Sequence, residues 1–240
     1  MRTLVVVPTY NEAENVDEVL RRLRSAVPGA DVLVVDDASP DGTAERAEAV
    51  GAELGSVQVL RRAGKSGLGS AYRAGFARGL AEGYEVLVEM DADLSHDPAA
   101  LPSLLSAVED GADLAIGSRY VPGGAIPTWS LRRLLLSRWG NRYASIVLGL
   151  GVRDATSGYR AYRAELLAQV PLDEVQADGY GFQIEMAYRV RRLGGTIVEL
   201  PISFSDRLRG TSKMSGRIIV EALLLVTWWG LRDRVLRRGR

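Results

Sequence analysis

Two aspartates one residue apart, Asp91 and Asp93 in "VEMDADLSHDP", close an apolar run and open a polar one. Hard divalent cations take oxygen ligands, and Mg²⁺ or Mn²⁺ commonly sits on one or two carboxylates while substrate phosphates fill other positions. With Ala92 between them, the pair supplies half a coordination sphere and leaves room for a diphosphate. A loop aspartate capping a helix uses the same letters, so both readings stand on local grounds. An acid and base pair of the glycosidase type fits less well, because two residues one apart do not easily flank a sugar from opposite sides. Cysteine is absent and histidine occurs once, at His96. That excludes thiolate metal sites and disulfides and leaves His96 without the partners of a triad or zinc site, so it reads as structural.

Other candidates for chemistry lie in three places. Asp36 and Asp37 end the run "DVLVVDD", where a carboxylate can accept from a ribose or base edge or cap the helix that follows. "RRAGKSGLGSAYRAG" invites a phosphate-loop reading that fails, because the glycine required five residues before Gly64 is Val59. No G-x-G-x-x-G follows either, since Tyr72 stands where the third glycine belongs, so nucleotide hydrolysis and dinucleotide chemistry lack support. Lys65 remains able to meet a phosphate at the start of a helix. Arg119, Arg133, Arg160 and Arg207 are each surface residues by default, but together they offer forks that match phosphate oxygens.

These residues need elements to hold them. Leu4 to Val7 reads as a buried strand, and Val16, Val19, Leu20, Leu23 and Val27 fall at helical spacing. The unit recurs through "DVLVV", "VQVL", "EVLVEM" and "DLAIGS", each short apolar run alternating with a helical stretch. That pattern predicts an α/β protein with a mostly parallel sheet covered on both faces, and ligands in such sheets bind beyond the carboxyl ends of the strands. The sequence-adjacent suspects are then Pro8 to Glu12, Asp36 and Asp37, Asp91 and Asp93, and Ser118 and Arg119.

From about residue 120 the alternation stops. A Gly/Pro-rich loop precedes a helix expected from Leu131 to about Leu150, with Arg133, Ser137 and Asn141 on one face. Leu135, Trp139, Tyr143, Ile146, Val147 and Leu150 form its expected apolar side. "TSGYRAYR", a helix around Phe182 to Leu193 and the strand-like "TIVELPISF" complete the body. Near the C-terminus Ile218 to Leu231 is almost entirely apolar, and "RDRVLRRGR" follows. Fourteen helical residues rise ~21 Å against a ~30 Å hydrocarbon core, so this segment does not span a bilayer alone. An interfacial helix with tryptophans at head-group depth and arginines near anionic lipid is one reading. A helix packed on the core or on a second copy is the other.

The 240 residues carry 30 basic and 30 acidic side chains, which gives no global field toward nucleic acid. The length fits one large core. The short apolar run before Pro8 lacks the features of a secretory signal, so a cytosolic start is expected.

Taken together, "VVVPTYNEAENV", "VLVVDDASPDGT", "GKSGLGSAYRAG", "MDADLSHDP", "IGSRYVPGG", "DATSGYRAYR", "GYGFQIEM" and "DRLRGTSKMS" resemble the family 2 glycosyltransferases of GT-A fold, in the polyprenyl-phosphate mannose synthase subgroup. The resemblance runs in order from about residue 4 to residue 216. It implies a glycosyltransferase domain over 1–216 and a membrane-interface helix with a basic tail over 217–240. It implies nucleotide-sugar contacts at Pro8, Tyr10, Glu12, Val35, Asp37, Lys65, Asp91, Ala92 and Asp93. For Mg²⁺ or Mn²⁺ it implies Asp91 and Asp93, with Ser95 where some members have a glutamine ligand. Around the acceptor phosphate it implies Arg119, Arg133, Ser137, Arg207 and Lys213, with Asp91, Asp93, Arg119 and Arg207 closest to the chemistry. The implied reaction transfers mannose from GDP-mannose to a polyprenyl phosphate with inversion, at the cytoplasmic membrane face. The product would be a lipid-linked donor for cell-envelope glycan or protein glycosylation. A UDP-sugar donor, a silent sugar-nucleotide-binding scaffold and a separate membrane-anchor protein are left open.

Overall fold

The computed structural model describes residues 1–175, 177–206 and 216–238, with side chains from 216 to 219 and from 234 to 238 set aside. Arg207 and Lys213 lie outside the described residues.

The elements are β1 (Thr3–Thr9), α1 (Val16–Ala26), β2 (Asp31–Asp36), α2 (Thr43–Leu54), β3 (Val57–Arg61), α3 (Leu68–Ala81), β4 (Val86–Glu89), α4 (Leu101–Glu109) and β5 (Leu114–Ser118). They continue with α5 (Leu131–Leu148), β6 (Arg160–Arg163), α6 (Ala164–Leu167), α7 (Gly179–Arg192), β7 (Ile197–Pro201) and α8 (Gly216–Arg238). One sheet of seven strands runs in the order β3-β2-β1-β4-β6-β5-β7. Every neighbouring pair is parallel except those involving β6, which lies antiparallel between β4 and β5. The sequence pattern anticipates every strand but this one. Four residues with arginine at each end give no apolar run to find.

Alternation along the strands divides the core between the two faces of the sheet. Leu4, Val6, Leu33, Val35 and Leu87 pack with Tyr72, Phe76 and Phe182 on one side. Val5, Val7, Val32, Val34, Val86 and Val88 pack with Val16, Leu20, Leu23, Leu101 and Leu104 on the other. Helix α3 sits close on the sheet because it presents Gly75 and Gly79 there. A methyl group on Gly75 would collide with Val6, and one on Gly79 would come within 2.6 Å of Leu87.

The expected apolar side of helix α5 holds in part: Tyr143, Val147 and Leu150 pack on the core. Asn141, Ala144 and Leu148 are buried, while Leu135, Trp139 and Ile146, assigned to the core side, are among the exposed large hydrophobics. Of the polar stripe Asn141 turns inward, because it has a partner there: its amide donates to Thr156 Oγ1 at 3.1 Å and accepts from the Thr156 N–H at 3.1 Å. Helix α8 packs against α5 and α7. It buries Ala222, Val226 and Trp229, with Trp229 stacked on Tyr188 at 5.7 Å between ring centroids. Its other face leaves Val220, Leu224, Trp228 and Leu231 exposed. Among the described residues no helix is long and apolar enough to cross a membrane.

Candidate active site

The carboxyl ends of β1, β2 and β4 lie side by side, and hydrogen bonds tie the loops after β1 and β2 together. Thr9 Oγ1 donates to Asp36 Oδ2 at 2.8 Å, and Asn11 N–H donates to Ser39 Oγ at 3.0 Å. Asp36 also accepts from the Ser39 N–H at 2.9 Å and its hydroxyl at 2.6 Å, so this carboxylate fastens loops. Asn11, Ala38 and Leu94, one in each of the three loops, hold left-handed backbone with φ of 55°, 58° and 62°. Such strain in non-glycine residues costs energy and gathers where a loop must present its groups in one way.

Asp37 is buried and differs from its neighbour in what it holds. Arg62 Nη1 donates to its Oδ1 at 2.7 Å and the Ser66 N–H to its Oδ2 at 3.0 Å, which anchors the "GKSG" loop to the end of β2. Lys65, on that loop, places its ammonium 4.3 Å from the centroid of the Tyr10 ring. Tyr10 and Lys65 therefore meet over one rim, beside Pro8. Glu12 is buried behind it, accepting from Asn15 Nδ2 at 2.8 Å. The Val35 side chain belongs to the core, so only its backbone is available to a ligand.

At the end of β4, Asp91 Oδ1 accepts from the Tyr72 hydroxyl at 3.1 Å and the side chain is 30% exposed. Asp93 is buried; both the N–H and the hydroxyl of Ser95 donate to its Oδ1, at 3.0 and 2.5 Å. Ser95 in this arrangement aims the Asp93 carboxylate. Ala92 is buried between the two. His96 stacks on Tyr159 at 5.1 Å and meets Phe204 edge-on at 5.5 Å. Burial pushes its pKa down to about 4, against the pull of Asp93, so it is neutral near pH 7 and props the loop. Glu89, the last residue of β4, is fully buried, its pKa pushed up to about 7 by burial while Arg160 draws it down.

The donors fit a hard divalent cation. Two carboxylates project from one strand end, one reachable by solvent and one oriented by a hydroxyl. Among the described residues no cluster of three or more histidines, aspartates or glutamates forms a protein cage, so remaining positions suit diphosphate oxygens and water.

The arginines separate into different jobs. Arg160, grouped by sequence with the phosphate candidates, is wholly buried: it donates to the carbonyls of Ser157, Ala155 and Gln183, each at 2.7 Å. It braces the "DATSG" loop from below. Arg119 is buried too, forked onto Asp154 with Nε to Oδ2 at 2.7 Å and Nη2 to Oδ1 at 2.6 Å, and Nη2 also reaches Thr156 Oγ1 at 2.8 Å. Burial lowers its pKa, and Asp154 more than reverses this, keeping the guanidinium charged. Phe204 and Trp129 close around it, with centroids 5.3 and 5.5 Å from its Cζ. Arg133 is exposed, 3.8 Å above the Trp129 ring and 3.0 Å from Asp206. Ser137 Oγ accepts from the Tyr120 hydroxyl at 2.7 Å.

Asp154 was missed as a site residue, although it opens "DATSGYRAYR"; a lone loop aspartate carries no spacing that would reveal an arginine 35 residues earlier. Arg133, Ser137 and Asn141 line one wall of a cavity of about 160 Å³ between α5, α7 and α8, whose other walls include Leu136, Trp139, Tyr180, Ala222 and Val226. It is a polar-edged apolar groove. Aromatic contacts from His96 through Phe204 to Trp129 join it to the aspartate pair.

The Glycosyl transferase family 2 model matches residues 4–170. An undecaprenyl-phosphate mannosyltransferase of Micrococcus luteus is 56% identical over 98% of this chain and 96% of its own. A polyprenol monophosphomannose synthase of Mycolicibacterium smegmatis is 52% identical over 98% of this chain and 89% of its own. The crystal structure of glucosyl-3-phosphoglycerate synthase from Mycobacterium tuberculosis with Mn²⁺, uridine diphosphate and glucosyl-3-phosphoglycerate superposes with a TM-score of 0.69 at 23% identity. It covers 94% of this chain and 78% of that one. The sheet and helices are those of the GT-A fold.

Proposed function

From the premise that the chain belongs to glycosyl transferase family 2 and is a glycosyltransferase, we propose that it transfers mannose from GDP-mannose to a polyprenyl phosphate, inverting the anomeric carbon. Two relatives more than half identical over nearly the whole chain bear names for mannose transfer to polyprenyl carriers. The observation that carries the reading within this molecule is the groove between α5 and α8. Its apolar walls suit isoprene units, and Arg133 and Ser137 stand at its polar wall for a phosphate.

The donor lies across the ends of β1, β2 and β4. Tyr10, Lys65 and Asp37 address the nucleoside side, and Asp91 and Asp93 would hold Mg²⁺ or Mn²⁺. When bound, that ion offsets charge on the departing nucleoside diphosphate. An acceptor phosphate oxygen attacks the anomeric carbon as the bond from that carbon to the diphosphate oxygen breaks. The acceptor is already ionised near neutral pH, so no side chain has to remove a proton. Neutral His96 then serves as a prop. Asp154 keeps Arg119 charged and fixed beside the join of the two sites, so its positive field is preorganised for two anions. Arg133 supplies further positive charge for the acceptor. The exposed apolar faces of α5 and α8 rest on the cytoplasmic face of the membrane, which supplies the lipid.

The test is transfer of labelled sugar into organic-extractable lipid by purified protein with polyprenyl phosphate and Mg²⁺ or Mn²⁺. Label from GDP-mannose, lost with chelator, is expected; label from UDP-glucose alone, or none from GDP-mannose, overturns the proposal.

A further inference from the structure

A second cavity, of about 500 Å³, opens along the opposite edge of α5 from the lipid groove. Tyr120, Arg138, Arg142, Ser145, Ile146 and Arg153 line it. Arg138 and Arg142 are one helical turn apart, so two like charges share a face, an arrangement that weakens a helix. Helix α5 has no acidic residue to balance them. Arg153 brings a third guanidinium from the loop before β6. Among the described residues none of the three forms an ion pair. Glu199, nearby, spends its two carboxylate oxygens on the N–H groups of Arg153 and Asp154, both at 2.8 Å. Among the described residues most other exposed arginines are paired, as Arg21 is with Glu53 and Arg61 with Glu45 and Glu48. Three arginines lining one cavity that no carboxylate lines make a receptor for a phosphate.

Its position narrows the source of that phosphate. Ile146 lines the cavity and, with Leu135 and Trp139, belongs to the exposed apolar ridge of α5. If that ridge enters the hydrocarbon boundary, the arginines along its edge stand at head-group depth. We propose that this cavity binds the phosphodiester of an anionic phospholipid, separately from the acceptor groove, and fixes the roll of α5 on the membrane. The proposal rests on the membrane-facing reading of α5 and α8, which neutral vesicles test on their own.

Full-length protein is sedimented with phosphatidylcholine vesicles and with vesicles containing phosphatidylglycerol, in wild type, Arg142→Gln, Arg138→Gln/Arg142→Gln and Arg132→Gln. GDP affinity serves as the control for folding. Arg132 is exposed on α5 but does not line the cavity. A diffuse field gives each arginine near the surface about fivefold in affinity. The expected result is a loss clearly beyond fivefold for Arg142→Gln, greater still in the double variant, about fivefold or less for Arg132→Gln, and unchanged binding to phosphatidylcholine. Equal losses in Arg142→Gln and Arg132→Gln, or wild type that ignores phosphatidylglycerol, overturn the site. Erasure of the Arg142 effect by inorganic phosphate assigns the cavity to a free anion and overturns the lipid assignment. Failure to bind phosphatidylcholine at all indicts the membrane-facing reading instead.

Discussion

The ends of β1, β2 and β4 and the surface of α5 and α8 solve opposite problems. At the strand ends the carboxylates are largely buried and held by named donors: Asp36 by Thr9 and Ser39, Asp37 by Arg62 and Ser66, Asp93 by Ser95. On α5 and α8 large apolar side chains stand in solvent, Leu131 at 68%, Ile146 and Leu224 at 66% and Trp228 at 64% exposure. Among the described residues only Met1 and Leu193 are exposed large hydrophobics elsewhere. One region is complete before its ligand arrives, as suits a polar donor whose phosphates and metal need fixed geometry. The other is incomplete in water, as suits a face whose counterpart is lipid.

The comparison breaks most severely at the seam between the two regions. Asp154→Asn leaves buried Arg119 without its counter-charge, and loss of one partner from such a pair costs about 3–5 kcal/mol. Urea unfolding should show that loss, with transfer falling as well. A next-largest effect belongs to the strand ends. Asp93→Ala should lower transfer on the order of 10²–10³-fold, the scale of losing one well-placed electrostatic group, with the circular dichroism spectrum unchanged. Metal-dependent GDP binding, followed by calorimetry, should disappear with it.

On the exposed face, Trp139→Asp with Leu224→Asp should abolish sedimentation with phosphatidylcholine vesicles. Each side chain forfeits about 1.5–3 kcal/mol of apolar burial in lipid. GDP affinity should stay at the wild-type value, which separates the two regions. Ser137→Ala should have the smallest effect: removal of a hydroxyl worth about 0.5–1.5 kcal/mol should raise the acceptor KM severalfold without moving the donor KM.

What the sequence discloses follows the same division. Parallel strands buried on both faces read as apolar runs, and the residues that follow those runs include Asp37, Asp91 and Asp93. Strand β6 escaped because its four residues are held by neighbours and carry no run. Helix α5 misled in a more instructive way. Periodicity finds an apolar stripe and a polar stripe but is silent on which faces inward. Asn141 and Thr156 satisfy one another inside, and Leu135, Trp139 and Ile146 are left outside while Leu148 is buried. Arg160 was similarly ambiguous, since an arginine that satisfies three buried carbonyls looks in sequence like one that awaits a phosphate. Asp154 is legible only once β5 and the loop before β6 are brought together.

In the proposed reaction, donor and acceptor are held by separate regions that meet near Arg119. The most direct measurement is the pair of KM values, for GDP-mannose and for polyprenyl phosphate in vesicles, in wild type and in the Trp139→Asp/Leu224→Asp variant. An acceptor KM raised at least tenfold with the donor KM unchanged is expected. A donor KM that rises in step, or an acceptor KM that does not move, contradicts it.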